Sequence, residues 1–153
     1  MVAKTLIAIA IFALAAVWMV RMPDTSVPLT EKTVRIGNAS LAVEVADTLA
    51  SQTRGLSGRE TLAQDRGMLF VYDDVEVRNF WMKDMRFPLD VLWIADNKVA
   101  GMEEHIPFES EDGSVVRFKS DVSADMVLEV NSGWIAEHGV KTGDAVKLDM
   151  EAD

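Results

Sequence analysis

The sequence predicts a mainly β fold: a compact antiparallel β-barrel or sandwich-like domain with one or two short helices, preceded by an N-terminal hydrophobic helix. Three observations predict it. Short segments of alternating apolar and polar residues recur after residue 32. Turn pairs such as Gly37-Asn38 and Asp96-Asn97 separate them. The regular strand–helix alternation of parallel sheets does not occur, which favours antiparallel pairing.

The first segment of the chain is predicted to be a targeting or membrane-anchoring segment rather than part of the folded domain. Residues 5–20 form an uncharged apolar run between Lys4 and Arg21. The run suits a short membrane span or a signal-peptide core. We predict an anchor or signal segment over residues 1–22, with residues 5–22 in the membrane and an uncleaved anchor favoured. Residues 23–32 are then a linker, and residues 33–153 form one β-rich domain on the extracytoplasmic (periplasmic) side.

In the first half of the domain, residues 33–46 predict two strands around the Gly37-Asn38 turn. Asp47 is in position to cap a helix over residues 48–56, with Leu49 and Leu56 on one side. The apolar run over residues 67–72 predicts a strand buried on both faces, which Asp73-Asp74 breaks before a strand over residues 75–82.

In the second half of the domain, alternation again predicts strands, and the total is eight or nine. Ser132 is in position to cap a short helix over residues 133–139. An acidic loop over residues 107–114 interrupts the pattern. The predicted strands cover residues 89–96, 98–106, 115–120, 125–130 and a closing segment with Val146, Leu148 and Met150 in phase.

Composition and charge exclude several classes of function. The chain has 153 residues, no cysteine, two histidines and a net charge of −10. Disulfides and thiol catalysis are therefore excluded, and we expect neither a metal nor another cofactor. Beyond residue 22, 13 basic residues stand against 25 acidic ones, so phosphate backbones are repelled. We expect no nucleic-acid partner.

A set of short motifs follows one another in a fixed order. The set is Arg54-Gly55-Leu56, Gly67-Met68-Leu69-Phe70-Val71, Phe80-Trp81-Met82-Lys83, Pro88-Leu89-Asp90-Val91-Leu92, Val127-Leu128-Glu129-Val130, Gly133 and Gly143-Asp144. Over roughly residues 34–150 it resembles the bacterial and archaeal family called domain of unknown function 192. The resemblance implies a compact, β-rich, barrel-like domain, often behind a signal peptide or membrane anchor. It implies no catalytic residues, and the chain departs from the family pattern at residues 84–87 and at Ser57.

Two carboxylates, Asp90 and Glu129, lie between aliphatic residues of predicted strands. A buried charge needs a partner. For Asp90 we expect amides of the turn before Pro88, and the cationic alternatives are Lys83, Arg86 and Arg54. For Glu129 we expect an ion pair with Arg54 or Arg66. The alternative is that Asp90 and Glu129 are the catalytic acid–base pair of an envelope hydrolase or carbohydrate-active enzyme.

The candidate ligand-binding residues are Arg54, Trp81, Lys83 and Asp90. The guanidinium of Arg54 could anchor an anion, although a cation at the end of a helix is also a common stabilising feature. A further alternative is a Cu(I) site from the thioethers and imidazole of Met82, Met85, Met102 and His105. We favour binding over catalysis, with an envelope protein or a small ligand as the partner. Whether the domain is an enzyme stays open.

Overall fold

The structure is a computed structural model that describes residues 28–149. Seven strands and two short helices form this part of the chain. In chain order they are β1 (Glu31–Ile36), β2 (Ala39–Ala46), α1 (Leu49–Arg54), β3 (Arg66–Trp81), β4 (Leu89–Ala95), β5 (Lys98–Ile106), β6 (Arg117–Asn131), α2 (Trp134–His138) and β7 (Val146–Asp149). The predicted anchor, the first half of the predicted linker (residues 23–27) and Met150 lie outside the described residues. No helix within residues 28–149 is long and apolar enough to cross a membrane.

All seven strands belong to one sheet with the order β5-β4-β6-β3-β2-β1-β7. The predicted mainly β fold is confirmed. Each neighbouring pair is antiparallel except β2 and β3, which run parallel with Val43 opposite Gly67. The sheet is therefore mixed rather than wholly antiparallel. The reason is the connection between these two strands, because α1 and the loop after it form the crossover that parallel neighbours require.

The two edges of the sheet meet at one place. The amide of Gly143 donates to the carbonyl of Val99 at 2.8 Å, and the amide of Val99 donates to the carbonyl of Asp144 at 3.0 Å. The amide of Val146 donates to the carbonyl of Asn97 at 2.8 Å. Elsewhere within the described residues β5 and β7 are not paired, so the sheet curves like a barrel without closing into one.

Two strands are longer than predicted, so the number of strands is seven rather than eight or nine. β3 continues through Asp73-Asp74, and β6 continues through residues 121–124, where the sequence predicts interruptions. The acidic pair does not end its strand because both side chains are exposed to water at the irregular part of the β3–β6 ladder, between Val71 and Glu76.

Arg78 holds this ribbon together next to two register shifts of the β3–β6 pairing, one between Val71 and Glu76 and one between Val77 and Asn79. The pairing of β3 with β6 shifts register between Val71 and Glu76, so extra residues are accommodated without ending the ladder. The Arg78 Nε donates to the carbonyl of Ala124 at 2.7 Å, and its guanidinium pairs with the Asp74 carboxylate at 2.6 Å. A nearly buried cation thus replaces ladder hydrogen bonds that the bulge removes.

Apolar side chains form two clusters on the two faces of the sheet. The first cluster contains Leu92 and Leu128 and includes Trp134 of α2. The second contains Phe70 and Trp93. β4 contributes to both, and six of its seven residues are buried because alternate side chains enter alternate clusters. The first half of β3 is likewise buried on both faces, as its continuous apolar run predicts.

Both predicted helices are present, but each begins differently from the prediction. α1 is capped by Thr48 rather than Asp47, because the Thr48 hydroxyl accepts the amide of Ser51 at 3.2 Å. Leu49 is 82% exposed and shares no buried side with Leu56, since α1 ends before Leu56 is reached. The N-cap of α2 is Gly133 rather than Ser132, and because glycine has no side chain, the N-cap residue itself makes no capping hydrogen bond.

Candidate functional site

Asp90 is fully buried, and its carboxylate accepts three backbone hydrogen bonds. Its Oδ1 accepts the amide of His105 at 2.9 Å, and its Oδ2 accepts the amides of Gly133 at 2.9 Å and Ile135 at 3.1 Å. One side chain of β4 thereby fastens the end of β5 and the start of α2. The expected amide donors exist, but they come from these elements and not from the turn before Pro88.

The turn between β3 and β4 is held instead by the loop after α1. The hydroxyl of Ser57 donates to the carbonyl of Lys83 at 2.8 Å, and the amide of Gly58 donates to the carbonyl of Asp84 at 2.9 Å. The side chain of Lys83 is exposed. The prediction of a cationic partner for Asp90 is therefore wrong. Three backbone amides donate to its carboxylate, and no lysine or arginine among the described residues forms an ion pair with it.

Ser132, His105 and Asp90 lie together without forming a hydrolytic triad. The Ser132 Oγ is 2.7 Å from His105 Nδ1, and the Asp90 Oδ1 is 4.0 Å from the same nitrogen. A triad needs the hydroxyl and the carboxylate on the two different ring nitrogens. The cluster is therefore a structural junction between β4, β5 and α2.

Asp90 and Glu129 point to opposite faces of the sheet. In the β4–β6 register Asp90 is opposite Val130, and Glu129 is opposite Val91, one position away. Because side chains alternate along paired strands, the sheet separates the two carboxylates. Two-carboxylate catalysis places both groups around one scissile bond, so this geometry does not supply the acid–base pair considered from the sequence.

Glu129 faces a cavity of about 180 Å³ between β3, α1 and the loop after α1. Aromatic and apolar side chains form one wall, and α1 with its following loop forms the other. The wall residues on β3 and the turn after it are Phe70, Tyr72, Phe80, Trp81 and Met85, together with the polar residue Asn79. A cavity of roughly 150 Å³ holds a molecule the size of benzene, so this one suits a small ligand.

Three contacts fix the walls of this pocket. The amide nitrogen of the Gln52 side chain donates to the carbonyl of Val71 at 2.7 Å, which ties α1 to β3. Gly55 ends α1 at a φ of +50°, and a Cβ there would lie 3.3 Å from the Phe70 ring. Phe70 in turn meets Phe80 edge-on, with ring centroids 5.1 Å apart. The loop therefore approaches the ring closely because it has glycine at this position.

Glu129 is only 5% exposed, and within residues 28–149 no group donates a hydrogen bond to its carboxyl or forms an ion pair with it. Burial without such a partner raises the pKa of Glu129 from 4.5 to about 8. The carboxyl group is therefore mostly protonated at neutral pH. The expected ion pair is not formed: Arg66 pairs with Glu31, and Arg54 lies at the edge of the pocket without an ion pair to Glu129.

Tyr72 is the second titratable group of the pocket. Burial raises its pKa to about 12, Arg78 acts in the opposite direction, and the negative charges of Glu129 and Asp74 add to the rise. The guanidinium carbon of Arg78 lies 3.9 Å from the centroid of the Tyr72 ring. Arg78 is thus engaged with the bulge and with Tyr72, and it does not neutralise Glu129.

The pocket brings together three of the candidates named from the sequence. Arg54, Trp81 and Glu129 line it, whereas Lys83 and Asp90 do not. The candidates came from three separate segments of the chain, and the pairing of β3 with β6 together with the return of α1 onto β3 makes them neighbours.

Sequence reasoning did not select the remaining wall residues. Phe70 and Tyr72 occupy alternate positions of β3, on the side of the strand that faces Glu129. That spacing is visible in the sequence, but it marks a shared face only once the partner strand is known. Met85 follows the turn after β3, and no local pattern distinguishes it from a residue of the core.

The residues of the Cu(I) alternative do not converge. Met82 belongs to the second cluster, and Met102 packs against the first, on the other face of the sheet. His105 uses its Nδ1 with Ser132. Among the described residues no group of three or more His, Cys, Asp or Glu side chains could hold a metal ion.

Comparison with known proteins gives the family of the chain. The family model DUF192 (domain of unknown function 192), described as "Uncharacterized ACR", matches residues 32–148. The chain belongs to the DUF192 family. The family predicted from the ordered motifs is thus confirmed. A search of curated proteins finds no match to this chain.

Two crystal structures share the DUF192 fold described above. One is of a proposed transcription regulator from Sinorhizobium meliloti 1021, 31% identical, with a TM-score of 0.72 and coverage of 80% of this chain and 97% of that one. The other is of a protein of unknown function from Novosphingobium aromaticivorans DSM 12444, 27% identical, with a TM-score of 0.68 and coverage of 82% and 89%.

Replacing Asp90 by Asn is expected to lower the free energy of unfolding by about 3 kcal/mol. The amide keeps the shape of the side chain, but its NH₂ group faces backbone donors and leaves one oxygen to accept hydrogen bonds. Urea unfolding of the full-length protein measures the loss. Asp144→Asn is the matched control, since within residues 28–149 the carboxylate of Asp144 accepts one hydrogen bond, from the amide of Lys141. Equal losses for both variants would contradict the role of Asp90.

Replacing Glu129 by Gln is expected to change how stability depends on pH. Because folding raises the pKa of Glu129, the unfolded chain binds fewer protons than the folded one between about pH 4.5 and about pH 8. The contribution of Glu129 to stability is thus fully present below this window and is lost as the pH rises through it. Between these two pH values, the free energy of unfolding of Glu129→Gln minus that of the wild type should increase by about 1.4 kcal/mol for each unit by which the pH rises.

Glu44→Gln supplies a control of opposite sign for the same measurement. Hydrogen bonds from Arg59, at 2.6 and 2.7 Å, lower the pKa of Glu44, so its stabilising contribution disappears as the pH falls. Urea unfolding across a pH series measures both variants. If the difference for Glu129→Gln did not change with pH, the carboxyl would not be buried without a partner.

Proposed function

We propose that this DUF192 domain binds a small molecule in the pocket lined by Glu129, and that residues 5–22 tether it to a membrane on the extracytoplasmic side. One observation carries the binding proposal. Glu129 is an ionisable side chain with no described partner, and it faces a cavity of about 180 Å³. Buried polar groups normally have partners, and strongly shifted ionisable groups are concentrated at functional sites. A ligand would supply the partner.

Binding fits the pocket better than catalysis does. Glu129 is the one carboxylate among the described residues that line the cavity. The hydroxyl of Ser57, also in the lining, is committed to the carbonyl of Lys83. A hydrolase would need a second acid, a base or an activated nucleophile beside Glu129. The hydrolase and the Cu(I) carrier therefore have less support than a binding domain.

We do not propose that this chain binds DNA, although the similar S. meliloti structure is described as a transcription regulator. The chain has a net charge of −10, and beyond residue 22 acidic residues outnumber basic ones by 25 to 13. Recognition of DNA depends on cations that displace counterions from phosphates. The charge therefore favours a ligand or partner other than nucleic acid.

The expectation of a membrane tether depends on the sequence. The uncharged run over residues 5–20 has the composition of a membrane segment, and Trp18 near its end suits the interface. Two prolines and small polar residues then precede β1. This arrangement would hold an acidic domain a short distance from the bilayer.

Binding in the pocket can be tested with a library of small polar metabolites against the full-length protein in detergent, by saturation-transfer NMR. At least one metabolite is expected to bind. Thr53→Trp should abolish its binding, because Thr53 is an exposed residue of α1 that lines the pocket, and an indole there would occupy the entrance.

Leu49→Trp is the matched control, since Leu49 is one helical turn earlier, exposed and away from this pocket. It should leave binding unchanged. The proposal is wrong if no metabolite binds, or if Thr53→Trp binds the same metabolites as the wild type.

The location can be tested with a topology reporter fused after Asp153. A phosphatase that folds only outside the cytoplasm should be active in this fusion, and a reporter that works only in the cytoplasm should be silent. Deletion of residues 5–22 should reverse both signals. An active cytoplasmic reporter on the intact chain would overturn the proposed location.

A further inference from the structure

We infer that the ligand of the Glu129 pocket carries a small ammonium group, protonated or quaternary, which pairs with the Glu129 carboxylate against the aromatic wall. The inference rests on the proposed binding function and names the chemical class of the ligand. It depends on three features of the pocket: a carboxyl group with which no described cation forms an ion pair, aromatic rings around it, and a volume that suits a small head group.

The first feature is the charge balance around Glu129. The charged and titratable groups around the pocket are Arg54 on α1, Tyr72 on β3 with Arg78 behind it, and Arg117 on β6. The guanidinium carbon of Arg117 lies 5.8 Å from the centroid of the Trp81 ring. Arg78 is engaged with Asp74 and the carbonyl of Ala124. From β4 the residue opposite Glu129 is Val91, which is apolar. A cation that enters the pocket would therefore be the group that neutralises Glu129.

The second feature is the aromatic wall. Phe70, Tyr72, Phe80 and Trp81 all line the cavity that Glu129 faces. The faces of aromatic rings attract cations, and quaternary ammonium ligands are commonly bound by several rings at once. Two rings of this wall already carry such contacts, Tyr72 with Arg78 at 3.9 Å and Trp81 with Arg117 at 5.8 Å, which leaves Phe70 and Phe80 without one among the described residues. A carboxylate with aromatic rings forms a site that suits an ammonium ion better than an anion or a purely apolar molecule.

The third feature is size. The cavity of about 180 Å³ is slightly larger than one that holds benzene, so it suits a head group such as that of choline. A hydrated metal ion would leave most of the aromatic wall without contacts. The aromatic surface is used only if the cation carries carbon substituents.

Ionisation of Glu129 makes the inference testable with one probe. An ammonium ion binds the ionised carboxylate, and the pKa of Glu129 is about 8 in the domain without a ligand. Affinity should therefore fall by about tenfold for each pH unit below that pKa and be constant above it. A quaternary ammonium ion has no proton to lose, so any such dependence comes from the protein.

The experiment is calorimetric titration of the full-length protein in detergent with choline and with its neutral isostere, in which carbon replaces the quaternary nitrogen. At about pH 9 choline should bind at least tenfold more tightly than the isostere, and at about pH 6 that preference should be largely lost. Glu129→Gln should bind both compounds equally at either pH. Glu103→Gln is the matched control, because Glu103 is also a carboxyl whose pKa is raised by burial but lies outside the pocket, and it should behave as the wild type.

Two results would overturn the inference. One is equal binding of choline and the isostere. The other is that the wild-type protein does not bind choline, although it binds other metabolites and Thr53→Trp abolishes their binding. In the second case the proposed binding function stands and the ammonium class of the ligand is wrong. If no metabolite binds, both the binding function and the ammonium class are wrong. Glu129→Gln is checked for folding by circular dichroism, and Thr53→Trp, which leaves Glu129 in place, must abolish choline binding independently.

Discussion

The alternation of side chains across the β4–β6 pair is the constraint on which the rest of the structure depends. It directs Asp90 to the face covered by α2 and Glu129 to the face covered by α1. Asp90 there meets three amides, so the backbone replaces the water that its charge has lost, and the junction of β4, β5 and α2 becomes fixed. Glu129 is one position away in the register and receives no such donors from the described chain. Two carboxyl groups at similar depth therefore have different consequences, one for the fold and one for a pocket.

Local sequence patterns were sufficient wherever a strand is bounded by a turn that its own residues determine. β4 and β5 agree with the predicted bounds to within one residue, because Asp96 and Asn97 both adopt positive φ and form the tight turn between them. Charged residues within apolar strands are equally visible, which is why Glu129 could be named as a candidate. The ordered motifs were specific enough to give the family.

The parts that could not be predicted depend on contacts between distant residues. Arg78 allows β3 to continue past Asp73-Asp74, and its bond to the carbonyl of Ala124 joins residues 46 positions apart. Gly67 has no unusual local conformation, yet a Cβ there would lie 2.8 Å from the carbonyl oxygen of Glu129. Its requirement for glycine comes from the neighbouring strand. The wall of the pocket is of the same kind, since it exists only when α1 returns to β3.

Stability alone does not explain an acid at position 129. Holding a proton at neutral pH on a group whose ordinary pKa is 4.5 costs the folded state about 3 kcal/mol, a large part of the 5–15 kcal/mol typical of a domain. A glutamine or methionine would occupy similar space without that cost. Any molecule that gives Glu129 a cationic partner recovers part of this free energy in addition to its own contacts, so binding and folding are coupled at this residue. The cost is greatest at high pH, where the carboxylate is ionised even without a ligand and the attraction for a cation is strongest.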